Sequence, residues 1–141
     1  MLKVTCAIII HQNKILVTQC NANSDHPLKW EFPGGKLNAG ETLEECIKRE
    51  IREELEIEIG ILEKLTAVNH NYIVKQIQLI PFLCILKSGK INLTEHNDLM
   101  WVTMGNLKKV DFAGADKTLI QLKANKEILK KYLRKNMDDS G

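Results

Sequence analysis

Gly34-Gly35-Lys36-Leu37-Asn38-Ala39-Gly40-Glu41-Thr42-Leu43-Glu44-Glu45-Cys46-Ile47-Lys48-Arg49-Glu50-Ile51-Arg52-Glu53-Glu54-Leu55-Glu56-Ile57 is the stretch whose reading decides the fold. A glycine pair and a short polar loop lead into a charged segment without a breaker. Thr42 followed by Glu45 fits a capping box, in which the threonine hydroxyl and the glutamate carboxylate each satisfy an otherwise free amide. Leu43, Cys46, Ile47, Ile51 and Leu55 recur at helical spacing, and at about 100° per residue they form one apolar face. Glu44, Glu45, Lys48, Arg52 and Glu56 lie mostly on the opposite side. Glu50 and Glu54 break this division: both project into the apolar arc, and Glu53 falls at its edge.

Carboxylates four residues apart repel by a few tenths of a kcal/mol even on an exposed helix. Partly buried and unpaired, they cost several times more. Positive charge is therefore expected among them. Arg49 can neutralise one of these groups but not three. A hard divalent cation with oxygen ligands meets the requirement, and Mg²⁺ is the usual choice where phosphates complete the coordination. Gly34 and Gly35 let the backbone approach a ligand closely, and Glu41 stands just before the helix N-terminus.

Outward from this helix, Val4 to Ile10 and Ile15 to Gln19 are β-branched runs around a polar tetrapeptide, the pattern of a hairpin. Asn21 to Pro27 is a polar loop. Ile57 to Leu65, Tyr72 to Leu86 and Leu99 to Thr103 read as strands, and Lys87 to Lys90 as a turn. Asp116 to Arg134 has the spacing of a final helix. Strands around a central helix, with another helix at the end, give an α+β domain. No internal repeat or linker interrupts residues 1–141, which are expected to form one domain.

The bulk numbers agree. The chain is 44% hydrophobic and 27% charged, with a formal net charge of +2, so bulk charge points to neither nucleic acid nor a membrane surface. The apolar runs are too short to span a bilayer. Cys6, Cys20, Cys46 and Cys84 are scattered, as expected of reduced thiols in a cytoplasmic protein. His11, His26, His70 and His96 form no ligand spacing.

Together, Gly35, Glu41, Arg49, Glu50, Ile51, Glu53, Glu54 and Ile57 resemble the Nudix box, G-x5-E-x7-R-E-U-x-E-E-x-G-U, with U a bulky apolar residue. Only the late glycine departs, being Glu56 here. Either Glu56 takes the left-handed conformation that ends the helix, at about 1 kcal/mol, or the turn is rebuilt with the break at Gly60. Lys29 to Gly35 resembles the approach strand of MutT-like members. Glu95-His96 through Leu99, Trp101 and Val102, with Ala115-Asp116, resembles the branch that includes CTP pyrophosphohydrolases.

The resemblance implies the Nudix fold, a mixed sheet sandwiched between helices. It implies hydrolysis of a nucleoside triphosphate to the monophosphate and pyrophosphate, with Mg²⁺ or Mn²⁺ as cofactor. Glu50, Glu53, Glu54 and the Gly34 carbonyl are the implied metal ligands and Glu50 the implied base; Glu95 is implied as a further metal ligand or base, and is alternatively an ordinary turn residue before a strand. Arg49 is expected to orient the carboxylates by pairing with Glu41. Phe32 and Tyr72 match positions near the base pocket, although an aromatic on a strand is more often plain core. Lys75 is either a phosphate or ribose contact or a solvated cation.

Asp116 stands where MutT carries an asparagine, and Gln19 and Cys20 where it carries paired arginines. An ionised aspartate accepts without donating, which favours a base presenting an amine or the guanine N1/N2 edge. Asp116 is alternatively the N-cap of the final helix. Modified or oxidised nucleotides are the implied substrates, in a pool-sanitising role, with the protein a monomer or homodimer. The alternatives are a diphosphate-linked substrate such as ADP-ribose or a dinucleoside polyphosphate, and a catalytically silent nucleotide-binding module.

Overall fold

The computed structural model of the protein describes residues 1–140, with side-chain surroundings described through residue 133. The β-branched runs form the expected hairpin of β1 (Leu2–His11) and β2 (Lys14–Gln19), turning through Gln12 and Asn13 at φ 50° and 64°. Two short strands follow, β3 (Trp30–Glu31) and β4 (Gly34–Lys36), and then helix α1 (Leu43–Leu55). Beyond it come β5 (Glu58–Lys64), β6 (Val68–Tyr72), β7 (Lys75–Ser88) and β8 (Asp98–Val102). A 3-10 turn (Met104–Lys109) leads to α2 (Gly114–Gln121) and α3 (Lys123–Ser140).

The strands join in one mixed sheet with the path β3-β2-β1-β7-β5, to which β4 adds on β1, β6 on β7 and β8 on β2. Its centre is the parallel pair β1 and β7, in register from Leu2↔Ile77 to Ile10↔Ile85. Alternation along these strands supplies two cores, because both sheet faces are covered. Cys6, Ile8, Ile10, Leu79 and Leu83 pack with Leu119, Leu129 and Leu133 of α2 and α3. Ala7, Ile9, Ile80, Phe82 and Cys84 pack with Ile47, Ile51 and Leu55 of α1. The expected sandwich of helices about a mixed sheet is what the chain forms.

Proline is normally barred from a central strand because it cannot donate to the ladder. Pro81 sits in β7 where the partner changes, between Val68↔Leu79 on β6 and Lys64↔Phe82 on β5, and its carbonyl still accepts from Leu65 N–H at 2.9 Å.

Three boundaries differ from the sequence reading. Tyr72 to Leu86 is not one strand. The chain reverses at Ile73 and Val74, with Tyr72 opposite Lys75, and these two apolar residues carry no turn signature. Gly34–Lys36, read as a break and loop, is a strand paired to Val4–Cys6. The final helix is two, because Leu122 (φ −63°, ψ 127°) interrupts it. Asp116 is therefore not an N-cap: it lies in the first turn of α2, whose cap residue is Ala113.

α1 is bounded as its sequence requires. Thr42 Oγ1 accepts from Glu45 N–H at 3.1 Å, and Glu45 Oε1 accepts from Thr42 N–H at 2.9 Å. The helix ends at Glu56, in the left-handed region at φ 58°, ψ 35°, so the first of the two alternatives for the missing glycine holds. No described helix is long and apolar enough to cross a membrane.

Candidate active site

The capping box and the apolar stripe fix the rotation of α1, and with it the direction of its carboxylates. Arg49 is the hub. Its Nε donates to Glu41 Oε2 at 2.5 Å and its Nη2 to Glu41 Oε1 at 2.9 Å, the pairing expected from the sequence. Nη1 donates to Glu50 Oε1 at 2.7 Å and Glu53 Oε2 at 3.2 Å, while Nη2 also reaches the Lys36 carbonyl at 3.0 Å. A planar fork can bridge loop and helix in this way, where an ammonium cannot. The Arg49 guanidinium, helped by the Asn38 N–H, holds the Glu41 carboxyl down to about 2.

Glu54 has no such partner. It is 5% exposed, and its Oε2 is buried without a protein hydrogen bond. Burial first, then the charges of Glu31, Glu50 and Glu95, push its carboxyl up to about 10. A carboxylate left so, facing three others, is a fit for a divalent cation. Glu53, by contrast, is exposed and tied only to Arg49 among the side chains described. Among the described residues no three acidic, histidine or cysteine side chains converge closely enough to hold an ion alone.

Glycine is required behind this cluster. A Cβ on Gly35 would lie 2.4 Å from the Glu50 carboxylate carbon, and one on Gly34 would lie 2.0 Å from the Thr5 carbonyl oxygen. Glu95 arrives from the far end of the chain. Asn92 N–H donates to the Leu55 carbonyl at 2.9 Å, and Thr94 Oγ1 donates to the Glu53 carbonyl at 2.7 Å. These bonds satisfy free carbonyls at the end of α1 and bring the segment 91–97 against it.

Beside the carboxylates opens a cleft of about 280 Å³, bordered by Phe32, Gly34, Gly35, Tyr72, Lys75, Glu95 and Asp116. Seven of the sequence-predicted residues thus meet on one cavity, while Arg49, Glu50, Glu53 and Glu54 do not line it and Glu50 stands behind Gly35. Phe32 is mostly core, 2% exposed with its ring 5.1 Å from that of Phe112. Its backbone N–H donates to Asp116 Oδ1 at 2.9 Å. Tyr72 is pinned by the Ala115 N–H, which donates to its hydroxyl at 2.9 Å, and its ring lies between His26 (4.6 Å) and His70 (4.4 Å). Lys75 Nζ pairs with Asp25 at 3.2 Å, joining the β6–β7 hairpin to the loop 21–28.

Asp116 is buried, and desolvation followed by the nearby Glu31 charge pushes its carboxyl well above the usual range.

The cleft also holds residues to which the sequence reading gave no site role, chiefly Glu31, His96, Cys20 and Asp25. One signal was present. Glu31 stands between Trp30 and Phe32, both packed on the core, and an acid in that setting seldom lacks a purpose.

Comparison with known proteins identifies the family. The NUDIX domain family model matches residues 1–122. A CTP pyrophosphohydrolase of Escherichia coli K12 is 32% identical over 121 residues, covering 86% of this chain and 90% of its own length. An 8-oxo-dGTP diphosphatase of Buchnera aphidicola subsp. Schizaphis graminum is 31% identical, covering 83% and 88%. Among solved structures, the E. coli ORF135 protein superposes with TM-score 0.77 at 31% identity, covering 91% of this chain and 90% of its own. The MutT protein of methicillin-resistant Staphylococcus aureus 252 does so with TM-score 0.71 at 35% identity, covering 89% and 96%. The chain belongs to the Nudix family. It is a hydrolase of phosphoric anhydride bonds, and Nudix hydrolases generally use divalent metal ions.

Proposed function

We propose that this Nudix hydrolase converts nucleoside triphosphates, ribo- or deoxyribo-, to the monophosphate and pyrophosphate, with Mg²⁺ as cofactor and Mn²⁺ as a substitute. The observation that carries the reading is Glu54, a buried carboxylate with an unpartnered oxygen, facing Glu31, Glu50 and Glu95. Glu50, Glu53, Glu54, Glu95 and the Gly34 carbonyl would hold the ion, which when bound would neutralise charge on the triphosphate. Glu50 accepts a proton from the attacking water, whose oxygen bonds to phosphorus as the bridging P–O bond to pyrophosphate breaks. Arg49 keeps Glu50 aimed by holding it and Glu41 in one fork.

Asp116 reads the base, Phe32 and Tyr72 border its pocket, and Lys75 contacts phosphate or ribose. Named activities of the relatives, on CTP and on 8-oxo-dGTP, support a substrate among cytidine-type or oxidised nucleotides and a pool-sanitising role.

The test is pyrophosphate release with Mg²⁺ across CTP, dCTP, 5-substituted dCTPs, 8-oxo-dGTP and the four ordinary dNTPs. Turnover on at least one, abolished in Glu53→Gln and Glu54→Gln, is the expected result. Turnover that survives both substitutions, or silence on the whole panel, sinks the reading.

A further inference from the structure

Between the carboxylate helix and Asp116 stands a pair to which the mechanism above gives no part. Glu31 borders the cleft with its side chain 28% exposed, and its Oε2 lies 2.9 Å from Nε2 of His96, whose side chain is 5% exposed. An ionised carboxylate only accepts, so the bond requires the proton on Nε2. The other ring nitrogen, Nδ1, is buried without a protein partner. An imidazole enclosed with one nitrogen unsatisfied is a poor space-filler, and phenylalanine would pack there without that cost. What the histidine supplies is a single directed N–H to Glu31.

His96 is itself anchored on both sides. Thr94 is bonded to the carbonyls of Glu53 and Glu54 at 2.7 and 3.1 Å. Asn97 N–H donates to the Gln19 carbonyl at 2.9 Å, and its Nδ2 donates to Gln19 Oε1 at 2.6 Å. The Glu95 carbonyl accepts from Asn21 Nδ2 at 3.1 Å. The clamp on Glu31 is thus referenced both to the end of α1 and to the end of β2.

Glu31 lines the same cleft as Asp116, Cys20 and Tyr72, and its charge acts on all three as well as on Glu54. A carboxylate there repels phosphate and attracts N–H donors, which in a nucleotide are found on the base.

We propose that His96 is a positioning residue. It holds one oxygen of Glu31 so that the other accepts from an amine of the substrate base, making the pair a determinant of base selection. This rests on the nucleotide-hydrolase reading given above.

The test compares the full-length wild type with His96→Phe, His96→Gln and Glu31→Gln. The substrates are triphosphate pairs that differ by one amine, CTP against UTP and dGTP against dITP. Calorimetric binding of the matching monophosphates is measured in parallel, so that affinity is read without turnover. The wild type is expected to favour the amine-bearing member of one pair. In His96→Phe the KM for that member rises about tenfold, the scale of one hydrogen bond to a charged group, while kcat stays within threefold. The preference collapses, as it does in Glu31→Gln, and His96→Gln, which keeps an N–H donor, recovers most of it.

Unchanged KM, binding and preference in a His96→Phe protein with wild-type unfolding temperature overturns the proposal. So does a wild type that prefers neither amine, or a loss confined to kcat. A wild type that hydrolyses no triphosphate yet binds monophosphates with the expected preference refutes the hydrolase reading and leaves this one standing.

Discussion

Gly35→Ala isolates catalytic geometry from folding. Gly35 is not among the residues of positive φ, so alanine is free of backbone strain there. Its Cβ, however, would stand 2.4 Å from Glu50 Cδ, 2.4 Å from Oε2 and 2.7 Å from Oε1. Ordinary carbon contacts lie near 3.5 Å, so the carboxylate must retreat by about 1 Å. The clash is with the end of a flexible side chain, and stability should change by less than about 1 kcal/mol. A misplacement of about 1 Å at a catalytic group costs on the order of 100-fold in rate. Gly34→Ala is the control, because there the Cβ meets backbone, at 2.0 Å from Thr5 O and 2.7 Å from Cys6 Cα. Neither strand can give way easily, so that variant should lose on the order of 3 kcal/mol of stability. The assay is pyrophosphate release under kcat/KM conditions, paired with urea unfolding. If Gly35→Ala keeps activity within threefold of wild type, the assignment of Glu50 to the chemistry is wrong. If it unfolds as readily as Gly34→Ala, the separation of geometry from folding is wrong.

Three further outcomes are expected. Burial and neighbouring charge raise the Glu54 carboxyl from 4.5 to about 10, so its contribution to stability is full below pH 4.5 and is lost as pH rises through about 10. The metal-free wild type should therefore lose Tm between about pH 5 and 9 more steeply than Glu54→Gln, and Mg²⁺ should raise Tm in the wild type alone; parallel pH curves would refute this. Arg49→Lys keeps the charge but not the fork that spans Glu41, Glu50 and the Lys36 carbonyl, and should lower kcat about 10- to 100-fold with KM little changed, as steady-state kinetics will show. Glu56→Gly relieves a left-handed conformation at φ 58° and should gain about 1 kcal/mol in urea unfolding with unchanged kcat, since among the described residues only Asn92 hydrogen-bonds that carboxylate, at 3.2 Å.

What was legible in the sequence was whatever a local period encodes. The phase of Glu50 and Glu54 against Ile47, Ile51 and Leu55 located the carboxylate cluster, because a helix converts spacing directly into direction. The hairpin of β1 and β2 was legible for the same reason. The turn at Ile73 and Val74 was not, since two β-branched apolar residues at a reversal look like strand, and they are the most exposed of the large hydrophobics. Nor was β4, where glycine erases the alternation that marks a strand. The pair Glu31 and His96 is separated by 65 positions, and nothing in the spacing of either residue announces the other. Asp116, singled out from the sequence as a reader of the base, lies on the cleft, and its burial depends on elements far away in the chain.

The parallel pairing of β1 with β7 also governs how the chain comes into being. Leu2 waits for Ile77, and the apolar side of α1 waits for Ile80, Phe82 and Cys84. The first half of the chain therefore supplies only part of that interior, Ala7, Ile9 and Leu16 against Ile47, Ile51 and Leu55. Loop-closure entropy must be spent before any long-range contact returns it, which makes such topologies slow to fold. Until β7 is made, Ile47, Ile51 and Leu55 lack the cover of Ile80, Phe82 and Cys84, and the apolar side of α1 stays incompletely buried.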